Sequence, residues 1–260
     1  MSDAKRDEAA NPALRAGDLI DQMFTLWILP HIERSNLDVS RNQIAQAVVI
    51  LHPNGAPEVL LNDQAELVAK AKVRGAVAVG EPVTTKNVEQ VSALRPANVP
   101  PSAGWIAFAL LPGSGIMVAF DFRYNRDRAA ELLDRAQEFL ATGCEALASG
   151  RIGPSVETAL AAGELAITAM ASLQNVMHKG RNSHGARQAW LNSYTHVGNG
   201  TPDWYKAMRH LLEARPSARY GDPQGRDLPT ATELAEFLAH VDDLVQYAIQ
   251  QAADHDFEDS

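Results

Sequence analysis

The chain has 260 residues, enough for one large domain or two ordinary ones with a sizeable buried core. Hydrophobic residues make up 46% and charged residues 21%, a composition that excludes an intrinsically disordered protein. The net charge of −9 argues against a surface that grips nucleic-acid phosphates over its whole extent.

The first 16 residues carry both signs of charge without an apolar signal core, which predicts a solvated lead-in and a chain that is not secreted. Gly17–Leu29 then places Leu19, Ile20, Met23, Phe24, Leu26 and Trp27 at helical spacing, and Pro30 is expected to stop that helix. Ile44–Leu51 is rich in β-branched residues. It is followed by turn chemistry at His52–Gly55 and a returning strand over Glu58–Asn62, a pattern that predicts a hairpin. Leu67–Val79 alternates apolar and charged residues as a half-exposed strand does. Val88, Val91 and Leu94 recur every third residue, which predicts a short helix over Asn87–Leu94. Pro96–Gly104 reads as a stiff irregular loop. Trp105–Leu111 and Ile116–Asp121 flank a glycine-rich turn and form a second expected hairpin.

From Asn125 the period changes from two to 3.6. Asp127–Ala148 is amphipathic, with Ala130, Leu133, Ala136, Leu140 and Leu147 on its apolar side, Asn125 as the expected cap and Gly150 at its end. Cys144, the single cysteine, rules out an internal disulfide and fits a reducing, cytoplasmic setting. Among Leu140, Ala141, Leu147 and Ala148 it is expected to be a small buried hydrophobe rather than a nucleophile. An alanine-rich helix opens at Pro154-Ser155 and runs to about Val176. A short helix over His184–Ser193, an amphipathic helix over Asp203–Ala214 and a last one over Thr230–Ala252 complete the series. No apolar run approaches the ~20 residues of a membrane span, so no membrane partner is expected.

Strands thus precede residue 125 and long helices follow it. The expected organisation is a lead-in (1–16), a small α+β domain with antiparallel hairpins (17–124), an all-α up-down helical bundle (125–252) and an acidic tail (253–260). Charge is just as uneven. His178–Arg226 holds eight Lys and Arg residues against three acids, whereas Asp227–Ser260 holds nine acids and neither Lys nor Arg. A localised anion site is one reading, and pairing of opposite charges between neighbouring helices is the other.

The order of features in the second half is an amphipathic helix, then a small-residue helix with an acid at its middle (AAGELAITAM), then a His-bearing loop (NSHGARQAW). A further helix and the segment LLEARPSARYGD precede the last helix. This order resembles the HEPN domain over about residues 126–252, most specifically at Glu164-Leu165-Ala166 and Ala218-Arg219-Tyr220. The resemblance implies a four- to five-helix up-down bundle, commonly a homodimer. Many members are metal-independent ribonucleases of toxin–antitoxin and phage-defence systems, and others bind RNA, nucleotides or partner proteins such as antitoxins.

The ribonuclease members carry an Arg followed by a polar residue, with a His four to six positions on. There the His moves a proton at the 2′-hydroxyl or leaving oxygen, and the Arg steadies phosphorane charge. Here Arg181-Asn182 has the right opening, but His184 follows Arg181 with only two residues between. Arg187 and His196 have eight between them. The spacing favours a binding surface over a catalytic centre. The candidate catalytic set is Arg181, Asn182 and His184, and the candidate anion- or RNA-binding set is Lys179, Arg187, His196, Arg219 and Tyr220.

His178, His184, His196 and His210 lie in the basic segment at intervals that match no metal-ligand pattern, so no metal and no cofactor is expected. Glu164, mid-helix among alanines, demands a partner, with Arg181, Arg187 and Arg219 as candidates. Arg219 is expected to pair with an acid on the last helix and Tyr220 to pack its ring. Trp190, Tyr194, Trp204 and Tyr205 fit core positions better than base-stacking platforms.

Overall fold

The computed structural model describes residues 12–76, 78, 84, 87–111, 115–176, 183–221 and 227–253, with side chains from Gly17 onward. The chain divides into two compact units between Phe122 and Arg123.

In the first unit, β1 (Gln46–Leu51) sits between β2 (Glu58–Leu61) and β5 (Gly104–Leu111), and β6 (Gly115–Asp121) pairs on the far side of β5. All pairings are antiparallel, and both expected hairpins form. The alternation along β1 and β5 gives the sheet two apolar faces. Ala47, Val49, Ile106 and Phe108 pack against Ile20, Met23, Phe24 and Ile28 of the N-terminal helix. Val48, Ile50 and Ala107 pack on the opposite face with Ala65 and Ala103.

That N-terminal helix starts earlier than expected, and Pro30 does not end it. α1 (Pro12–Met23) passes through a π-helical stretch (Phe24–Ile28) into α2 (Leu29–Arg34), where Pro30 occupies the opening turn. The widened turn takes the i→i−4 ladder out of register there, so a residue without an N–H is accommodated.

The segment 88–96 is a strand, β4 (Val88–Pro96), antiparallel to β3 (Leu67–Val73), and not the expected helix. The register explains the misleading period. Val88, Val91 and Leu94 face Val73, Ala71 and Ala69, which are two apart, because Glu89 and Ser92 are extra residues at two irregularities. Two β-bulges therefore turn a spacing of two on one strand into three on the other. Ser92 Oγ donates to Lys70 O at 3.2 Å beside one of them. The strand expected over 67–79 is present as far as Val73, but Val68–Lys72 are all exposed, so its burial does not alternate; Val77 and Val79 lie outside the described residues.

The second unit is a helical bundle of α3 (Arg126–Ala148), α4 (Ile152–Leu173), α5 (His184–His196), α6 (Pro202–Tyr220) and α7 (Ala231–Ala252). The fold is thus an antiparallel sheet region followed by a helical region with four long helices. Asn125 stands at the N-cap of α3, but with φ +52° and no capping bond. Its Nδ2 instead donates to Ser172 O at 3.1 Å, satisfying a carbonyl at the end of α4. Thr230 caps α7 in a reciprocal capping box with Glu233.

α4 is the central helix. Its buried residues include Val156, Ala159, Leu160, Ala162, Ala166, Ile167, Ala169 and Met170, packed with residues of α3, α5, α6 and α7 in one core. By length and composition α4 could cross a membrane, but 61% of its most apolar window is buried inside the bundle. Small residues bring its neighbours close. A Cβ on Gly163 would lie 2.1 Å from Met208 Sδ of α6, and one on Gly153 would lie 2.9 Å from the Ala218 carbonyl oxygen.

Cys144 is exposed, contrary to expectation. Leu140, Gly143 and Ala146 take the buried face of α3, and Cys144 falls outside it on the rim of an open groove between α3 and α7.

Candidate functional site

The surface of α4 is open along one stripe. Glu157, Ala161, Glu164 and Thr168, spaced four, three and four apart, are only partly buried on a helix most of whose other residues are buried. The stripe carries two carboxylates and a hydroxyl, and α5 and α6 bring their polar side chains to it.

At its centre, the Glu164 side chain is 14% exposed and holds two partners from α5. Glu164 Oε1 is hydrogen-bonded to His184 Nδ1. Glu164 Oε2 lies 3.5 Å from Arg187 Nη1, and Arg187 Nε donates to Thr168 Oγ1 at 3.1 Å. The Thr168 hydroxyl in turn donates to the Glu164 carbonyl at 2.7 Å. Of the three arginines expected as partners of Glu164, Arg187 is the one observed. Arg219 pairs elsewhere, and Arg181 lies outside the described residues.

His184 opens α5 directly after Ser183, whose side chain accepts from Ala186 N and caps the helix. On the far side of its ring, Nε2 is 3.0 Å from Arg215 Nη1 of α6. A guanidinium has no acceptor, so Nε2 must accept. That places the ring proton on Nδ1, donated to the Glu164 carboxylate, and leaves the imidazole neutral.

Arg215 continues the chain of contacts to the end of the stripe. Its Nε lies 3.3 Å from Glu157 Oε1, and Arg219 Nε, one turn on, lies 3.6 Å from Glu157 Oε2. Three guanidiniums, an imidazole and two carboxylates thus form one run, Arg187–Glu164–His184–Arg215–Glu157–Arg219. Glu157 and Arg215 were not among the sequence candidates. Their signal was present, because Glu157 and Glu164 are two helical turns apart, and Arg215 and Arg219 one turn apart.

Arg219 therefore pairs with α4 and not with the last helix. Tyr220 does not pack its ring, being 76% exposed with the Arg219 guanidinium 5.8 Å from its centroid. His196 closes α5 twelve residues from His184, which at 1.5 Å per residue is about 18 Å along the axis, so it does not join this run. His210 stacks on Phe237 at 5.2 Å. His178, Lys179, Arg181 and Asn182 lie outside the described residues, in the segment joining Val176 to Ser183.

The remaining described basic residues of the segment pair along their own helix. Lys206 Nζ donates to Asp203 Oδ1 at 2.8 Å, which holds the Asp203 carboxyl below its usual range. Arg209 Nε donates to Glu213 Oε1 at 2.7 Å, which raises the Arg209 pKa. The aromatic residues belong to the core. Trp204 is 4% exposed with Nε1 donating to Asp243 Oδ2 at 2.7 Å, and Trp190 stacks on Tyr194 at 4.8 Å. Burial, then the hydrogen bond to Tyr247, pushes the Tyr194 hydroxyl well above its usual pKa. Tyr205 packs on the same core.

Neither a protein-family model nor a curated protein matches this chain.

Proposed function

We propose that the helical unit is HEPN-like and binds a phosphate-bearing ligand, RNA or a nucleotide, on the α4–α5–α6 surface. The observation that carries this reading is the convergence of Arg187, Arg215 and Arg219 on a single stripe of an otherwise acidic chain, three guanidiniums against two carboxylates. Guanidinium forks match phosphate oxygens in planar, bidentate geometry. Lys179 and Arg181 precede His184 by only a few residues and add basic charge to the same part of the sequence. A homodimer, a partner or antitoxin protein, and a defence setting in the cytoplasm belong to the same proposal through the resemblance. The discriminating test is filter binding of single-stranded RNA to wild type and to Arg215→Gln/Arg219→Gln. Retention of full affinity by the double variant refutes this surface.

A second reading, a metal-independent ribonuclease, is favoured by one feature. A neutral His184, held by Glu164 through Nδ1, has its Nε2 lone pair on the side of Arg215. Such a nitrogen can take the proton of a 2′-hydroxyl while an arginine steadies the charge on phosphorus. Total RNA on denaturing gels distinguishes the two readings. Cleavage abolished by His184→Ala supports the nuclease, and cleavage that survives it places any active site elsewhere.

A further inference from the structure

We infer that Arg215 is an anion-operated cover on His184: a phosphate arriving at this surface draws the guanidinium off Nε2 and thereby exposes the only proton-accepting nitrogen of the ring. The inference rests on the phosphate site proposed above and adds how that site is regulated.

The geometry has three parts. The His184 side chain is 41% exposed, so a ligand can reach the ring, yet Nδ1 is held by Glu164 and Nε2 is capped by Arg215 Nη1 at 3.0 Å. The cap itself is weakly tethered. Arg215 Nε lies within ion-pair reach of Glu157 Oε1 at 3.3 Å, but that oxygen is buried and accepts no hydrogen bond. The guanidinium thus trades on one bond to a neutral nitrogen and one ion pair without hydrogen-bond geometry. A phosphate offers two parallel charge-assisted bonds, roughly twice as strong as neutral ones. Finally, Arg219 stands one turn away against the other oxygen of Glu157 and is 47% exposed, so a second guanidinium is positioned for the same anion.

The consequence is an order of events. Without an anion, His184 is oriented but its lone pair is covered. With an anion, the same arginine that binds phosphate leaves the imidazole, and a hydroxyl carried by the ligand meets a free acceptor. Glu164 keeps the proton on Nδ1 throughout, which makes it a positioning residue for the ring.

Labelling of the full chain by diethyl pyrocarbonate, which acylates unprotonated imidazole nitrogen, tests this when His184 is followed by peptide mass spectrometry. Removing the cover with Arg215→Met is expected to speed His184 labelling about tenfold, the factor for one lost hydrogen bond of ordinary strength. Arg215→Gln repeats the comparison if the methionine variant melts early. Inorganic phosphate is expected to speed labelling of wild type relative to chloride of equal ionic strength and to leave Arg215→Met unchanged, with phosphorus NMR line broadening reporting binding independently. Equal rates in wild type and both variants overturn the cover. Phosphate that broadens but does not accelerate wild-type labelling overturns the exchange. Phosphate that fails to broaden overturns the anion site itself, a failure told apart by faster labelling of Arg215→Met.

Discussion

Glu164→Ala is the substitution whose effect follows most directly from the helical unit. The carboxylate is 14% exposed and meets Arg187, itself 17% exposed, and the Nδ1 proton of His184. Breaking a fully buried pair by removing one partner costs ~3–5 kcal/mol. Here Arg187 keeps its bond to Thr168 and both ions see some solvent, which lowers the cost to ~2 kcal/mol. Alanine's better helix propensity returns only a few tenths of a kcal/mol. A net loss of ~2 kcal/mol in a unit of this size corresponds to a fall of ~6–10 °C in melting temperature. Urea titration followed by circular dichroism measures it, with Arg187→Met and the double variant closing a thermodynamic cycle. A Glu164→Ala protein within ~0.5 kcal/mol of wild type would show that the pair contributes no more than an ordinary surface contact, and the reasoning would fail.

Two further outcomes concern packing and pH. Gly163→Ala is expected to destabilise by ~1–2 kcal/mol, because overpacking against Met208 outweighs the helix-propensity gain. In a Met208→Ala background the same change should become neutral or stabilising, and thermal melts of the four proteins decide it. The raised pKa of Tyr194 makes the hydroxyl neutral in the fold where the unfolded chain would ionise it. Its contribution is therefore complete below the unfolded value of about pH 10 and is lost as pH rises beyond it. Tyr194→Phe should cost ~1 kcal/mol at neutral pH through the lost bond to Tyr247, and should flatten the alkaline decline. An unchanged alkaline limb in urea titrations from neutral pH to above pH 10 would assign that decline to other groups.

The fold was legible where one period or one turn motif dominated. The hairpins over β1–β2 and β5–β6 and the amphipathic pattern of α3, α6 and α7 fall in this class. It was not legible where tertiary structure altered the local rule. The two bulges of β4 turned a strand into an apparent helix, and the π-helical stretch before α2 let Pro30 continue a helix it was expected to end. Pro216, likewise, lies inside α6, which runs on to Tyr220. Cys144 shows the limit of judging burial from neighbours in sequence. Leu140 and Leu147 lie one and nearly one turn away, but the buried side passes through Gly143.

The candidate site was half legible. A lone acid among alanines pointed to Glu164 and to its need for a partner, since an isolated buried carboxylate is too costly to survive. The identity of that partner depended on which face of α5 meets α4, which no local pattern encodes. Glu157 lies ahead of the alanine run, beside Ser155 and Thr158, and so drew no attention, although it shares a face with Glu164. Arg215 stood just past the expected end of the helix over Asp203–Ala214, which instead runs on to Tyr220. That helix places Arg215 and Arg219 one turn apart, close enough to grip the same carboxylate.

The salt dependence of RNA binding tests the central claim most directly. Fluorescence anisotropy of a labelled single-stranded RNA, titrated at several salt concentrations, gives the slope of log affinity against log salt. If Arg215 and Arg219 each hold a phosphate, the Arg215→Gln/Arg219→Gln chain should bind more weakly, with a slope shallower by about 1.4 than wild type. Identical affinity and slope in the two proteins would contradict a phosphate site on the α4–α5–α6 surface.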